Sequence, residues 1–541
     1  MPGPWLPIPK FHFMAFAPLD AWARLLLAPP AWIPVRYWPR VALGLFTSAL
    51  GTAITLPERV VMAVWLRRRE RVEHAPGVVV VLGYFRSGTT HLQYLLSCDP
   101  RLRTPGWCEA LAPQGFVLSW AFLRLFMLPF LSSTRPQDDV AIGPSWPAED
   151  DFAANNWAMA SSLGSRFILP RMHAHYSRFH SLAGLSDREL SRWRRVQAGF
   201  CAKLGLVAGR RGLLLKSPSH TARVGELVRM FGAGVRFVHI SREPGAVVRS
   251  NIAMAERMTG FGLQDPPSHA EMERRVVEEY ADSQRRFDEA AATLPPERLA
   301  RVRFEDLAAD PIGEVWRAYA HLGIEWDPRH EARMRRYLAT VEDYRPATRS
   351  GGGVPEGARG ELESIARRYG HDRPARARVT EALPRLSRGR GGAAAAVGAL
   401  VALACLGVWL AHAYLVRQRH DWLIWPTGVG VGLAAIHTAH AGSRRLGIWL
   451  AALVLAVYVA GSLPVAFLMD YAHRDYYRDT SGGRAWGVLP WRPEREWEWY
   501  HIKKASWDGA LGGNSVFWVF MGVMCAYRYG SRRWLHPPGR E

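Results

Sequence analysis

Lysine is scarce in this chain of 541 residues. Among its 69 basic residues only Lys10, Lys203, Lys216, Lys503 and Lys504 are lysine, so a lysine within a candidate site carries more weight than usual. Cysteine forms no pattern. Cys98, Cys108, Cys201, Cys405 and Cys525 are odd in number and scattered, which argues against a disulfide framework or a zinc site and points to a reducing compartment. The N-terminus has no early positive charges ahead of an apolar core, so no secretory signal is expected. No block interleaves lysines with aromatics, so nucleic acid is not an expected partner. Acidic residues number only 48, leaving a formal net charge of +21 and a pI near 10.3. That balance suits an anionic ligand or an anionic membrane surface.

What is abundant is apolar surface, with 49% hydrophobic residues and 23 tryptophans, many of them near apolar segments as at a membrane interface. The length suggests two or three units. Residues 1–75 are apolar, aromatic and proline-rich. Glu58 and Arg59 interrupt the run from Val41 to Leu66, so an interfacial segment or a helical pair packed on the next domain fits better than a simple span. Residues 76–375 alternate aliphatic runs with amphipathic stretches. Val78–Leu82, Leu213–Leu215, Val235–Ile240 and Arg301–Phe304 each lead through a turn into a helical pattern. Serial strand–turn–helix units predict an α/β fold, a P-loop-like parallel sheet flanked by helices, with its ligand at the carboxyl ends of the strands. A basic linker, residues 376–390, precedes a membrane domain, residues 391–541. Its apolar stretches lie at about 391–416, 422–442, 446–469 and 506–527. The first three have the length for a bilayer of roughly 30 Å, and the fourth is shorter, so three or four spans are expected. His412, His437 and His440 fall within these stretches, as functional groups or as interhelical hydrogen-bonding partners.

The residues just after each strand carry the chemistry. Gly83-Tyr84-Phe85-Arg86-Ser87-Gly88-Thr89-Thr90 follows a strand and opens a helix, so backbone N–H groups and the helix dipole can face an anion. Gly83 and Gly88 have P-loop spacing, but Thr89 stands where a nucleotide-triphosphate loop needs lysine, and the positive charge sits within the loop as Arg86. This argues against a P-loop hydrolase or kinase. Downstream, Phe237-Val238-His239-Ile240-Ser241-Arg242-Glu243-Pro244 ends a strand in a forked phosphate donor, Arg242, with Ser250 on the following helix.

The two motifs together, in order, resemble the 5′-phosphosulfate loop and the 3′-phosphate motif of the sulfotransferase superfamily, and are most similar to its bacterial and tyrosylprotein-like branch. The resemblance covers about residues 76–375. It implies a sulfotransferase that uses 3′-phosphoadenosine 5′-phosphosulfate as co-substrate, without a metal. Arg86, Ser87, Gly88, Thr89, Thr90, Arg242 and Ser250 would bind the nucleotide. Two further stretches are similar to the family's pattern. Thr104-Pro105-Gly106-Trp107-Cys108-Glu109 resembles the segment that brings in a catalytic glutamate, and Leu215-Lys216-Ser217-Pro218-Ser219-His220 resembles a strand end of that branch. The resemblance thus gives Arg86 and Lys216 the transition-state charge and Glu109 or His220 the acceptor's proton, Glu109 being ranked first. For each a structural role is the alternative: a capping carboxylate, a first-turn histidine, a strand-end lysine.

Pro147–Phe152 is either acceptor-facing or a solvated acidic turn. Arg349–Gly353 lies where cytosolic members carry a basic glycine loop. His173, His175 and His180 read as surface or substrate-side residues, and Trp422–Pro426 with its glycines resembles a small bacterial two-helix membrane module. The expected acceptor is a hydroxyl, on a lipid or glycolipid if the site faces membrane lipids. The expected location is a multi-pass membrane protein with its catalytic domain in the cytoplasm, where arginines from Arg373 to Arg390 meet the first span. A non-catalytic scaffold on a sulfotransferase fold is the remaining alternative, and retention of Arg86, Lys216 and Arg242 argues against it.

Overall fold

The computed structural model describes residues 14–27, 32–67, 77–120, 142–341, 356–376, 391–416, 423–439, 445–462 and 513–530, with Leu123, Met127, Arg135 and Val140. The glycine-rich segment Arg349–Gly353, most of the basic linker and His440 lie outside the described residues. One compact unit takes in residues 1–127 and 134–386, and a second takes in residues 387–535.

The first unit is built on five parallel strands: β1 (Val78–Leu82), β2 (Leu102–Arg103), β3 (Gly212–Lys216), β4 (Val235–Ser241) and β5 (Leu299–Arg303), in the order β2-β3-β1-β4-β5. β1 is aliphatic at every position and all five of its residues are buried, as a central strand covered on both faces requires. Val80 sits opposite Leu215 on one side and Phe237 on the other, and their core is completed by Leu204, Leu227 and Phe287 from flanking helices. β2 has two residues, too few for any alternating pattern to betray it. β5 ends at Arg303, and Phe304 already begins the next helix. Because β1 lies between β3 and β4, the turns after these three strands open side by side, the place where open parallel sheets bind ligands.

The N-terminal residues belong to this unit. Helix α1 (Leu19–Leu27) packs beside α2 (Trp38–Arg67), a 30-residue helix. Trp22 donates from Nε1 to Ser48 Oγ at 2.8 Å. Gly44 is required there, because a Cβ would lie 2.4 Å from the Trp22 ring. Glu58, which the sequence shows as an interruption of an apolar run, is fully buried. Its carboxylate accepts from the N–H groups of Val117, Leu118 and Ser119 and pairs with Lys203 Nζ at 2.9 Å. Lys203 also lies over the rings of Phe116 and Trp157.

Among the described residues, the second unit contains four apolar helices, at Gly391–Val416, Ile424–Ala439, Arg445–Ser462 and Gly513–Gly530. Gly428 and Gly522 meet where two of them cross, so closely that a Cβ on Gly428 would lie 1.9 Å from the Gly522 carbonyl oxygen, the small-residue packing of membrane helices. Trp409 and Tyr458 stack at 5.6 Å between ring centres. Val35–Leu66, Ala393–His412 and Arg445–Ser462 are long and apolar enough to cross a membrane. The second C-terminal stretch is helical from Ile424 to Ala439, and its last residues, 440–442, lie outside the described residues.

Candidate active site

The turn after β1 is shaped by two glycines and one arginine. Gly83 has φ 143°, and a Cβ there would meet the Ile240 carbonyl oxygen at 2.6 Å. Gly88 caps helix α3 (Thr89–Leu96) with φ 98°, and a Cβ there would strike the Phe304 ring at 2.4 Å. Arg86 adopts φ 68°, in the left-handed region, a conformation that non-glycine residues adopt at a cost and that clusters at functional sites. The Gly83 N–H donates to Thr221 Oγ1 at 2.7 Å, and Ser87 Oγ donates to the Tyr84 carbonyl at 2.6 Å.

Sequence-assigned residues meet in two groups around this turn. In the first, Arg86 Nε donates to Ser250 Oγ at 3.0 Å, and Arg242 Nη1 donates to the Arg86 carbonyl at 3.3 Å. Ser250 lies on the helix after β4, and the Arg242 guanidinium is 4.5 Å from the centre of the Phe304 ring. Burial and the neighbouring Arg86 charge both lower the Arg242 pKa, the condition under which an anion is attracted. In the second, Lys216 Nζ, at the end of β3, donates to Thr90 Oγ1 at 3.3 Å and to Glu149 Oε1 at 2.6 Å. Arg135 Nη1 reaches the same threonine hydroxyl at 3.0 Å. Burial lowers the Lys216 pKa, partly offset by Glu149.

His220 is tied to Lys216 through one carboxylate. Asp150 Oδ2 lies 2.7 Å from His220 Nε2 and accepts from Gln197 Nε2 at 2.6 Å, while its Oδ1 accepts from the Lys216 N–H and Ser217 Oγ. Burial alone would raise the Asp150 carboxyl, yet His220 and these donors hold it well below the usual carboxylate range. His220 Nδ1 is buried with no protein partner. Asp151 accepts from Ser161 and Ser219 and pairs with Arg223 at 2.8 Å. Pro147–Phe152, read as acceptor-facing or solvated, therefore supplies the buried framework of the strand-end cluster, and only Glu149 among its three carboxylates retains appreciable exposure.

Glu109 stands apart from both groups in its hydrogen bonding. It occupies the third position of helix α4 (Trp107–Leu111), where its Oε2 accepts the Gly106 N–H at 2.7 Å and its Oε1 pairs with Arg103. The sequence does not single out Arg135 or Thr221, and it offers Glu149 and Asp150 only within a segment that could face the acceptor. The acidic run at 149–151 was the available signal, but its partners on Lys216 and His220 lie far away in sequence.

A buried polar group supports the other side of the loop. Glu279 pairs with Arg166, and both bond the Tyr84 hydroxyl. Arg166 lies 3.9 Å from the centre of the Phe85 ring. Burial would raise the Glu279 carboxyl, but Arg166 and nearby histidines hold it down at about 2. Beside this group opens a mainly apolar pocket lined by Phe167, Met258, Gly262, Pro266, Met272 and Val276 among others. His173 lines the pocket as well. His180 is buried against Tyr84 and Phe85 rather than surface-exposed, and His175 packs on Tyr176.

Two buried imidazoles make the fold acid-sensitive. Burial pulls His180 down to about 4 and His239, stacked on Phe287 at 3.8 Å, down to about 3. The unfolded chain carries ordinary imidazoles near 6.5, so below that pH it binds more protons than the folded chain. Stability is therefore full above about pH 6.5 and falls as the pH drops towards 4. At pH 5 each histidine costs about 2 kcal/mol. The thermal midpoint of the catalytic unit should fall between pH 7.5 and pH 5, and His239→Phe should make that slope shallower. A slope unchanged by His239→Phe would show that this imidazole does not drive the effect.

A phosphate-type loop without the P-loop lysine thus meets an arginine and a serine that follow the neighbouring strand. A model of the sulfotransferase family matches residues 76–328. The chain is 30% identical over 330 residues to omega-hydroxy-beta-dihydromenaquinone-9 sulfotransferase Stf3 of Mycobacterium tuberculosis, an overlap of 60% of this chain and 82% of that one. It is 36% identical over 107 residues to human carbohydrate sulfotransferase 6, covering 18% and 27% of the two chains. Among solved structures it is similar to sulfotransferase STF9 from Mycobacterium avium, with a TM-score of 0.49 and 20% identity over 69% of this chain and 99% of that one. The chain belongs to the sulfotransferase family.

Proposed function

We propose that this protein transfers the sulfuryl group of 3′-phosphoadenosine 5′-phosphosulfate to a hydroxyl on a membrane lipid. The observation that carries the reading is the joining of Arg86, Arg242 and Ser250 at the ends of neighbouring strands, with Lys216 and Thr90 on the other side of the same turn. The loop N–H groups, Ser87, Thr89 and Thr90 would hold the 5′-phosphosulfate, and Arg242 with Ser250 the 3′-phosphate. In the reaction the S–O bond to the donor phosphate breaks, sulfur bonds to the acceptor oxygen, and the acceptor's proton leaves. By analogy with phosphoryl transfer the transition state is loose, so positioning and neutralisation of the leaving phosphate dominate. Arg86 and Lys216 supply that charge, Lys216 exchanging Glu149 for donor oxygens.

Both oxygens of Glu109 are engaged at the start of α4 and on Arg103, whereas His220 has one nitrogen held by Asp150 and the other without a protein partner. We therefore place the proton-accepting role on His220 and a positioning role on Glu109, reversing the order the sequence suggested. The lipid acceptor rests on two supports: the mycobacterial relative is named for sulfation of a hydroxylated menaquinone, and an apolar pocket adjoins the Arg166–Glu279 group beneath the loop. A cytosolic donor and the arginine-rich linker support a catalytic unit that faces the cytoplasm.

Two measurements test this. Added 3′,5′-diphosphoadenosine should raise the thermal midpoint of the full chain, and ATP should raise it much less. Total lipids incubated with enzyme and donor should yield a species heavier by one sulfuryl group. Protection by ATP in preference would overturn the donor. Protection by the diphosphate with sulfation confined to water-soluble acceptors would overturn the lipid.

A further inference from the structure

The two sides of α2 carry the reverse of the polarity expected for a helix packed on a soluble domain. Its buried side is mostly small or polar, with Gly44, Thr47, Ser48, Gly51, Thr55 and Glu58 set between the apolar Val41 and Met62. Its outer side is Phe46, Leu50, Leu56, Val60, Val61 and Val64, each 36–58% exposed. A helix on a water-soluble domain turns its apolar stripe inward, and scattered exposed apolar residues do not form a continuous row of six. The inner contacts are built ones. Ser48 bonds Trp22, Thr55 fills the space beside Gly115, Arg59 reaches Asp20, and Glu58 is sealed by three N–H groups and Lys203. We propose that the outer face of α2 is a lipid-contact surface, and that the helix lies along the bilayer with its polar side fastened to the catalytic unit.

The length of α2, about 45 Å for 30 residues, would suffice to cross a membrane. A spanning helix, however, is surrounded by lipid or by other spanning helices, and here one side is occupied by the catalytic unit from Gly44 to Met62. Half-embedding satisfies both sides at once. The ends agree with this placement. Trp32 and Trp38 are exposed at the N-terminal end, alongside the exposed Arg36 guanidinium, and the helix ends in Arg67, which the sequence follows with Arg68-Arg69. Tryptophan and arginine are the residues that settle among headgroups, and the arginines favour anionic lipid. Leu118, whose N–H is held by Glu58, is itself 60% exposed.

The surface also adjoins the apolar pocket. Arg40 donates to the Gly262 carbonyl at 2.7 Å, Gln264 donates to the Trp32 carbonyl, and Arg36 and Tyr37 bond Asp265. Gly262 and Pro266 line the pocket beside the loop. The segment that borders the pocket is thus fastened to the lipid-facing helix. The surface itself stands on packing and polarity alone, whatever reaction the site performs.

The full chain, reconstituted into nanodiscs of phosphatidylethanolamine and phosphatidylglycerol, can be irradiated with a phospholipid carrying a diazirine on its acyl chain and mapped by mass spectrometry. Adducts are expected on Phe46, Val60 and Val64, at least about tenfold above any on Ser48, Thr55 or Glu58. A photoactivatable amino acid at position 60 should give lipid adducts and no protein cross-link. Absence of lipid adducts on α2 overturns the proposal. So does cross-linking from position 60 to the helices of residues 391–530 or to a second copy of the chain, which would show the face covered by protein.

Discussion

Arg242→Ala is expected to weaken binding of 3′,5′-diphosphoadenosine by roughly ten- to a hundred-fold, and Arg86→Ala by at least as much. Each removes a charge-assisted contact to phosphate, about 1.5–3 kcal/mol. The two losses should not simply add, because the residues touch: Arg242 donates to the Arg86 carbonyl, and Arg86 donates to Ser250. Sites in contact show coupling, so the double variant should lose less than the sum of the singles. Alanine at position 86 inherits the left-handed φ of 68°, so each variant's ligand-free thermal midpoint must accompany its titration. Calorimetric titration that shows undiminished affinity in both well-folded variants would remove the nucleotide assignment.

Lys216→Met should retain the nucleotide and lose turnover by two to three orders of magnitude, the usual consequence of deleting a transition-state charge. The methionine fills the space but leaves Glu149 without its 2.6 Å partner, so Glu149→Gln in the same background separates loss of catalysis from an unpaired carboxylate. His220→Asn should also bind nucleotide and lose turnover by two to four orders of magnitude, the range for removal of a general base. Glu109→Gln should stay within a few-fold of the parent, since glutamine can still cap the start of α4. Single-turnover rates decide between them. A dead Glu109→Gln beside an active His220→Asn would return the base to Glu109.

Local signals made part of this site readable and hid the rest. The turn after β1 and the Arg242 motif were legible because each is a contiguous string whose strand before and helix after announce themselves by period. The all-valine start of β1 could only be a doubly buried strand. Asp150 was not legible in its role: an acidic run between a proline-containing turn and an alanine-containing stretch looks the same whether it is solvated or clamped on His220 and Ser217. Its partners sit some seventy residues away, and only the fold brings the start of the Asp150–Ala158 helix against the end of β3. Glu58 misled in the opposite sense. As a charge within an apolar run it reads as a break, yet the helix continues through it because three amides and Lys203 meet its carboxylate on the inward side. Hydropathy averages over a helix's circumference, and α2 is defined by the difference between its two sides.

The placement of the anion-binding groups on adjacent strands acts as a caliper. Arg86 lies in the turn after β1 and Arg242 follows β4, its hydrogen-bonded neighbour, so the spacing of adjacent strands, about 4.8 Å in any sheet, sets how far apart the two turns begin. On the proposed assignment, the protein gauges its nucleotide by the separation of two charged ends more than by the base between them. A ligand with phosphates on both sides of one ribose spans the jaws. A triphosphate, with all its charge on one side, leaves the Arg242 jaw open however strongly it is attracted to the other. Changing the identity of either arginine would loosen the grip without resetting the gap, since the gap belongs to the sheet.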